Sequence, residues 1–188
     1  MEPTLTKSQL IRQGERSINI ILLDIDGVLL PDADLYQPPS RDEDWHLFLD
    51  TVSFNQSCTK RINTLCEVTQ AKIMLISSWR KYFSKQRGTL FKALVRSGLD
   101  SSHLHKDWFI PFRYTSEKPD EVFFMIEALE SNPVPRVNLL LIDDQDLLLS
   151  LDSFEKYPIA SYAQITPDAE QAFSETDLQL ALDFFDIK

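Results

Sequence analysis

Residues 18–30 read I-N-I-I-L-L-D-I-D-G-V-L-L, and this stretch decides how the rest of the chain is read. An apolar run rich in Ile and Leu delivers two aspartates, Asp24 and Asp26, with Gly27 directly after them. Such a run reads as a strand buried on both faces. In an open α/β sheet ligands bind outside the carboxyl ends of the strands, which is where both aspartates fall. Burying two carboxylates side by side raises at least one pKa unless a cation or hydrogen bonds neutralise them, so the pair points to a metal or to acid–base work. Gly27 permits a sharp turn or a close backbone approach at that point. Taken alone, the same D-x-D-G also describes a strand end followed by an ordinary turn.

Two further apolar runs have the same form. Lys72–Ile76 ends on Ser77, Ser78, Trp79 and Arg80, and Val137–Ile142 ends on Asp143 and Asp144. Helical spacing lies between them: Ile62, Leu65, Cys66 and Thr69 within 57–70, a helix after Arg80 through about Leu94 closed by Ser97 and Gly98, and Val122, Met125, Ile126 and Leu129 after Lys118 and Pro119. A helix is expected over 145–154, a strand over Ile159–Ile165, a capped helix start at Thr166, Pro167 and Asp168, and a last helix over Asp177–Phe185. Alternating strands and helices predict an α/β protein, a three-layer α/β/α sandwich around a central parallel sheet. Residues 1–16 read as an N-terminal extension and 17–188 as one domain. The acidic, aromatic and proline-containing segment at about 30–56 reads as a small flap or lid, and 99–117 as a loop.

Composition narrows the function classes. With 29 acidic and 19 basic residues the formal charge is −10, which disfavours extended nucleic-acid contact through phosphates but leaves room to hold a single phosphate. Cys58 and Cys66 form no C-x-x-C and suggest neither a disulfide framework nor a zinc site. Neither a signal peptide nor a membrane-length apolar run is visible, so the expected home is cytoplasmic, with no membrane partner. Composition does not set the oligomeric state.

In a parallel sheet, Asp24, Asp26, Ser77, Asp143 and Asp144 lie on one edge, with Lys118 opening the helix before the third strand. Clustered carboxylates make a hard oxygen site of the kind Mg²⁺ prefers. Lysine and serine can bind phosphate oxygens, and one aspartate is free to attack phosphorus. Other readings stand beside these. Ser77 also fits a cap for the following helix, with Ser78 its rival for phosphate. Lys118 at a helix start is either a surface lysine or, because the helix dipole disfavours a cation there, a sign of a nearby anion. Arg113 is a rival phosphate ligand, and Arg80 either clamps a substrate anion or pairs with an acid. Trp79 reads as core, and His46, His103 and His105 as surface histidines.

These residues, in this order, resemble the four motifs of the haloacid dehalogenase (HAD) superfamily. Asp24-Ile25-Asp26-Gly27-Val28 resembles motif one, Ser77 motif two, Lys118-Pro119 motif three, and Asp143-Asp144 motif four. The I-S-S-W-R ending, with D-I-D-G-V-L upstream, further resembles a subgroup of small HAD proteins that includes domains attached to RNA-repair machinery. The resemblance implies a Rossmannoid fold with only a small cap, and a Mg²⁺-dependent phosphatase. Asp24 would be nucleophile and metal ligand. Asp26 would be the acid and base, reaching the metal through its carbonyl. Ser77 and Lys118 would hold phosphate, Asp143 would bind metal, and Asp144 would be a ligand or an orienter. Two-component receiver domains use similar residues, but there the acidic pair comes first, and here it comes last. Dehalogenase chemistry is not expected, because that branch does not need the second motif-one aspartate.

Only about 45 residues separate Asp26 from the second strand, too few for a large closing cap. The expected partner is therefore a phosphorylated substrate of open class reaching an open site. A nucleic-acid-end phosphatase and a HAD-like binding or regulatory module without turnover are the alternatives.

Overall fold

The computed structural model of the chain describes residues 17–32, 45–82, 87–111, 117–129 and 136–186. Four strands, β1 (Ser17–Leu23), β2 (Lys72–Leu75), β3 (Arg136–Ile142) and β4 (Ile159–Ile165), form one parallel sheet in the order β2-β1-β3-β4. Residues that alternate along the strands feed two separate cores. Ile21, Leu23, Ile73, Leu75, Leu140 and Ile142 pack on one face with helices α2 (Gln56–Thr69), α4 (Arg87–Arg96) and α6 (Glu175–Phe184). Ile20, Leu22, Met74, Leu139 and Leu141 pack on the other with α5 (Lys118–Ala128) and Phe154. This is the expected three-layer α/β/α Rossmannoid arrangement. It explains why β1, β2 and β3 read as apolar runs: both faces are covered.

The chain runs outward from β1 to β2 on one side and from β3 to β4 on the other. The strand order therefore reverses between β1 and β3, where a crevice forms at the carboxyl ends. Asp24 and Asp143 are the first residues beyond these two adjacent strands, whose last pair is Leu23 and Ile142.

Helix α1 (Trp45–Thr51) lies within the segment read as a flap, of which 33–44 fall outside the described residues. The helix expected from Arg80 to about Leu94 is described as α3 (Trp79–Tyr82) and α4, with 83–86 outside the description. Gly98 ends α4 in the left-handed region at φ +95, with the Leu99 amide bonded back to the Leu94 carbonyl at 3.1 Å. Within 99–117 the chain runs beside β2: the His105 amide donates to Ile73 and the Leu75 amide to the Trp108 carbonyl. This pairing blunts an otherwise open sheet edge. Among the described residues no helix is long and apolar enough to cross a membrane.

Two sequence expectations are corrected. Residues 145–154 hold no α-helix, only a 3-10 turn at Leu151–Phe154. Side chains take the amides a helix would have used: Asp143 accepts from Gln145, Gln164 from Leu147, and Asp146 from Leu148. Leu148 is left at φ +53. Carboxylate and amide side chains next to a helix start compete with the helix in this way. No helix starts at Thr166-Pro167-Asp168 either. There the Asp168 carboxylate accepts from the Glu170 amide, one turn closes, and Ala172 at φ +57 ends it. The true start is Ser174, whose hydroxyl accepts from the Asp177 amide while Asp177 accepts from the Ser174 amide.

Candidate functional site

Asp24 is buried where β1 ends; one carboxylate oxygen accepts from the Ile25 amide at 2.8 Å and the other from Lys118 Nζ. Asp143 is fully buried where β3 ends, and its Oδ1 accepts from Lys118 Nζ at 2.9 Å and the Gln145 amide at 3.0 Å. Its Oδ2 lies 2.8 Å from the same ammonium without the alignment of a hydrogen bond, so its lone pairs remain uncommitted. Lys118, the first residue of α5, thus bridges the two central strands through their aspartates. Pro119 is the second helical residue, one place later than its preferred position.

Among the described residues, Asp24, Asp143 and Asp144 form a set whose carboxylate oxygens lie within 4.8 Å of one another. Three carboxylates with one buried oxygen uncommitted suit a hard divalent cation. Asp26 is outside that set: its Oδ1 accepts from the indole Nε1 of Trp79 at 2.8 Å. Any part Asp26 has in metal binding would therefore come through its main chain.

The electrostatics follow from crowding. Burial, then the charge of Asp24, pushes Asp143 up to about 6 in spite of Lys118. Burial, then Asp24, raises Asp144 as well. Burial raises Asp26 too, and the charges of Asp24 and Asp144 add to it against the Trp79 hydrogen bond and Lys118. Burial works against the Lys118 ammonium, but Asp24 and Asp143 outweigh it and its pKa rises.

Gly27 has a physical reason to be glycine. Its φ is +65, and a Cβ there would lie 2.5 Å from Asp144 Cβ. Gly27→Ala is expected to lower stability by about 1–3 kcal/mol through backbone strain and to displace Asp144. The checks are a thermal melt and a magnesium titration by calorimetry; an unchanged melt with unchanged affinity would refute the contact's importance.

A cleft of about 240 Å³ is lined by Asp24, Asp26, Ile76, Ser78, Lys81, Lys118, Asp144 and Gln145. Of the two candidate serines, Ser78 lines the cleft. Ser77 is fully buried, and its hydroxyl accepts from the Trp79 amide at 3.3 Å, a cap at the start of α3. Arg80, read as either a clamp for a substrate anion or the partner of an acid, is not in the cleft wall; it is a buried structural cation. It pairs with Glu121 at 3.0 Å and donates to the carbonyls of Ile76, Ser77 and Ile110. Arg113 lies outside the described residues.

Sequence reasoning missed Lys81 and Gln145 in the cleft wall and the polar role of Trp79. The available signal was position: Lys81 directly follows S-S-W-R, and Gln145 directly follows the acidic pair. His103 is buried rather than superficial, and the side chain of His46 lies outside the described residues. Cys58 and Cys66 are buried and free, and burial pushes the Cys66 thiol up to about 12. Chemically, the arrangement offers a cation site, a carboxylate at its centre, a second carboxyl two residues on and a half-buried ammonium.

Comparison with known proteins gives one family: the model of the HAD domain in Swiss Army Knife RNA repair proteins matches residues 20–178. No curated protein and no solved structure matches the chain.

Proposed function

The chain belongs to the family of HAD domains of Swiss Army Knife RNA repair proteins, and from that premise we propose that it hydrolyses phosphomonoesters through an aspartyl-phosphate. The observation that carries this reading is the meeting of Asp24, Asp143, Asp144 and Lys118 at the β1–β3 crevice.

In the proposed reaction an Asp24 oxygen attacks phosphorus, and the bond from phosphorus to the ester oxygen breaks. Asp26 gives that oxygen its proton, so the alcohol leaves neutral. A water then loses a proton to Asp26 and attacks phosphorus. The aspartyl–phosphorus bond breaks, releasing inorganic phosphate and restoring the Asp24 carboxylate. Lys118 and Ser78 face the cleft where phosphoryl oxygens would sit. Mg²⁺, held by Asp24, Asp143 and Asp144, would supply positive charge to the transferring group.

The cleft is smaller than the roughly 300–1,000 Å³ of sites that enclose a whole small molecule. That size suits a phosphate projecting from a larger body. Together with the family, it favours a terminal phosphate on RNA as substrate, held at its end and not along its length, consistent with the acidity of the chain.

The test is phosphate release with and without Mg²⁺ over RNA 5′- and 3′-phosphates, nucleotides, sugar phosphates and phosphopeptides. Release from RNA ends above the other classes is expected. Preference for another class would move the substrate, and silence on all of them would leave a binding module instead of an enzyme.

A pH prediction follows from Asp143. Its folded pKa of about 6 exceeds the ordinary 3.8, so the folded state holds the proton more tightly. Stability from this group is therefore greatest below about 3.8 and lost as pH rises towards 6 and beyond. The cation needs the ionised form, so its stabilising effect should grow over the same range. At a hundredfold excess over Kd, Mg²⁺ is expected to add about 2.7 kcal/mol, roughly 5–10 °C in Tm, at pH 7.5, and much less at pH 5. Equal shifts at both pH values in thermal melts would contradict this.

A further inference from the structure

We propose that Trp79 is a positioning residue that holds Asp26 for proton exchange with the leaving group; this rests on the phosphatase reading above. Trp79 follows Ser77 and Ser78 and opens α3, with its amide bonded to the Ser77 hydroxyl. Its ring is 7% exposed and sits against Phe54, centroids 5.4 Å apart and edge-on, and against Phe48 of α1 at 6.0 Å. An indole wedged in this way has its N–H direction fixed by packing. That N–H meets Asp26 Oδ1 at 2.8 Å.

Asp26 lies two residues from Asp24, close to a site that attracts cations. The indole bond gives its carboxyl a fixed place outside the set formed by Asp24, Asp143 and Asp144, at the wall of the cleft. One oxygen is held while the other is left to exchange a proton with the ester oxygen. Core packing alone would be met by any large aromatic ring. The polar contact requires the indole nitrogen, and so distinguishes this role from a structural one.

Trp79→Phe keeps a ring against Phe48 and Phe54 and deletes the donor. Esters with a good leaving group, such as 4-nitrophenyl phosphate, depend little on a proton donor, whereas an alkyl phosphate such as a nucleotide depends on it strongly. The variant is expected to lose kcat/KM, which reports the steps up to departure of the leaving group, at least about tenfold more on the alkyl ester than on the aryl ester, as Asp26→Asn should do more severely. Equal losses on both esters, or none on either, would overturn the proposal.

A second measurement separates its failure from that of the phosphatase reading. In ¹H–¹⁵N spectra of the native chain, the indole signal that is missing from Trp79→Phe should lie downfield and move upfield in Asp26→Ala. An indole signal indifferent to Asp26→Ala would overturn the proposal even in an active enzyme. A chain inert toward both esters and toward phosphorylated RNA ends would end the phosphatase reading and the proposal with it, although the indole shift would still report the contact.

Discussion

Asp24→Asn is expected to reduce phosphate release on the order of 10⁴-fold or more, the scale on which nucleophile removal acts where catalytic groups work as a unit. Asp24 accepts from the Ile25 N–H and from Lys118 on different oxygens, and the amide keeps only one acceptor oxygen, so one of the two bonds is lost. It removes the charge that helps push Asp26, Asp143 and Asp144 upward. The relieved repulsion offsets the lost bond, so the variant should melt close to the native temperature in the absence of metal. That combination, lost turnover with retained stability, separates a nucleophile from a fold-supporting acid. Asp24→Asn with residual activity within about tenfold of native would remove Asp24 from the nucleophile's role. A large fall in Tm would instead make Asp24 a structural residue.

The second large effect is on stability. Arg80 and Glu121 are 0% and 1% exposed, and their ion pair ties the start of α5 to α3. Arg80→Met leaves the Glu121 charge buried without its partner and three carbonyls without their donor. The expected loss is about 3–5 kcal/mol, on the order of 10 °C in Tm. Adding Glu121→Leu should recover much of it, because replacing both partners removes the unpaired charge. A single variant within about 1 kcal/mol of native by urea unfolding would show that the pair does not hold the helix. Because Lys118 lies one turn before Glu121, the single variant should also weaken phosphate handling, and the double variant should restore it less completely than it restores stability.

β1, β2 and β3 were legible because their apolar runs serve both faces of the sheet, whereas β4 carries Ser161 and Gln164 and is buried only at Ile165. The carboxylate cluster was legible because parallel strands deliver their ends to one edge. The misses share one cause. Periodicity reports which residues are apolar, whereas polar side chains act through partners distant in sequence. Glu121 sits in a helix read only for Val122, Met125, Ile126 and Leu129, so the acid that fixes Arg80 was invisible. Trp79 was rightly read as core, but its hydrogen bond spans 53 positions in sequence. The helix expected over 145–154 failed because Gln164, a residue of the next strand, accepts the Leu147 amide.

The join between β1 and β3 has one more consequence. The Asp24 amide bonds to the Ile142 carbonyl, the Asp143 amide to Ile165 and the Ile76 amide to Leu23. The groups that hold the carboxylates are thus the same bonds that close the middle of the sheet. Native-state opening proceeds in cooperative units, with central strands in the most persistent one. The carboxylate cluster has no partial failure of its own: it exists while the domain is folded and vanishes with it. Helix α1, with Leu47 69% exposed, belongs to the opposite end of that scale. Natural variation at exposed positions of α1 such as Leu47 can therefore accumulate without touching the chemistry, as long as Phe48 keeps its place against Trp79.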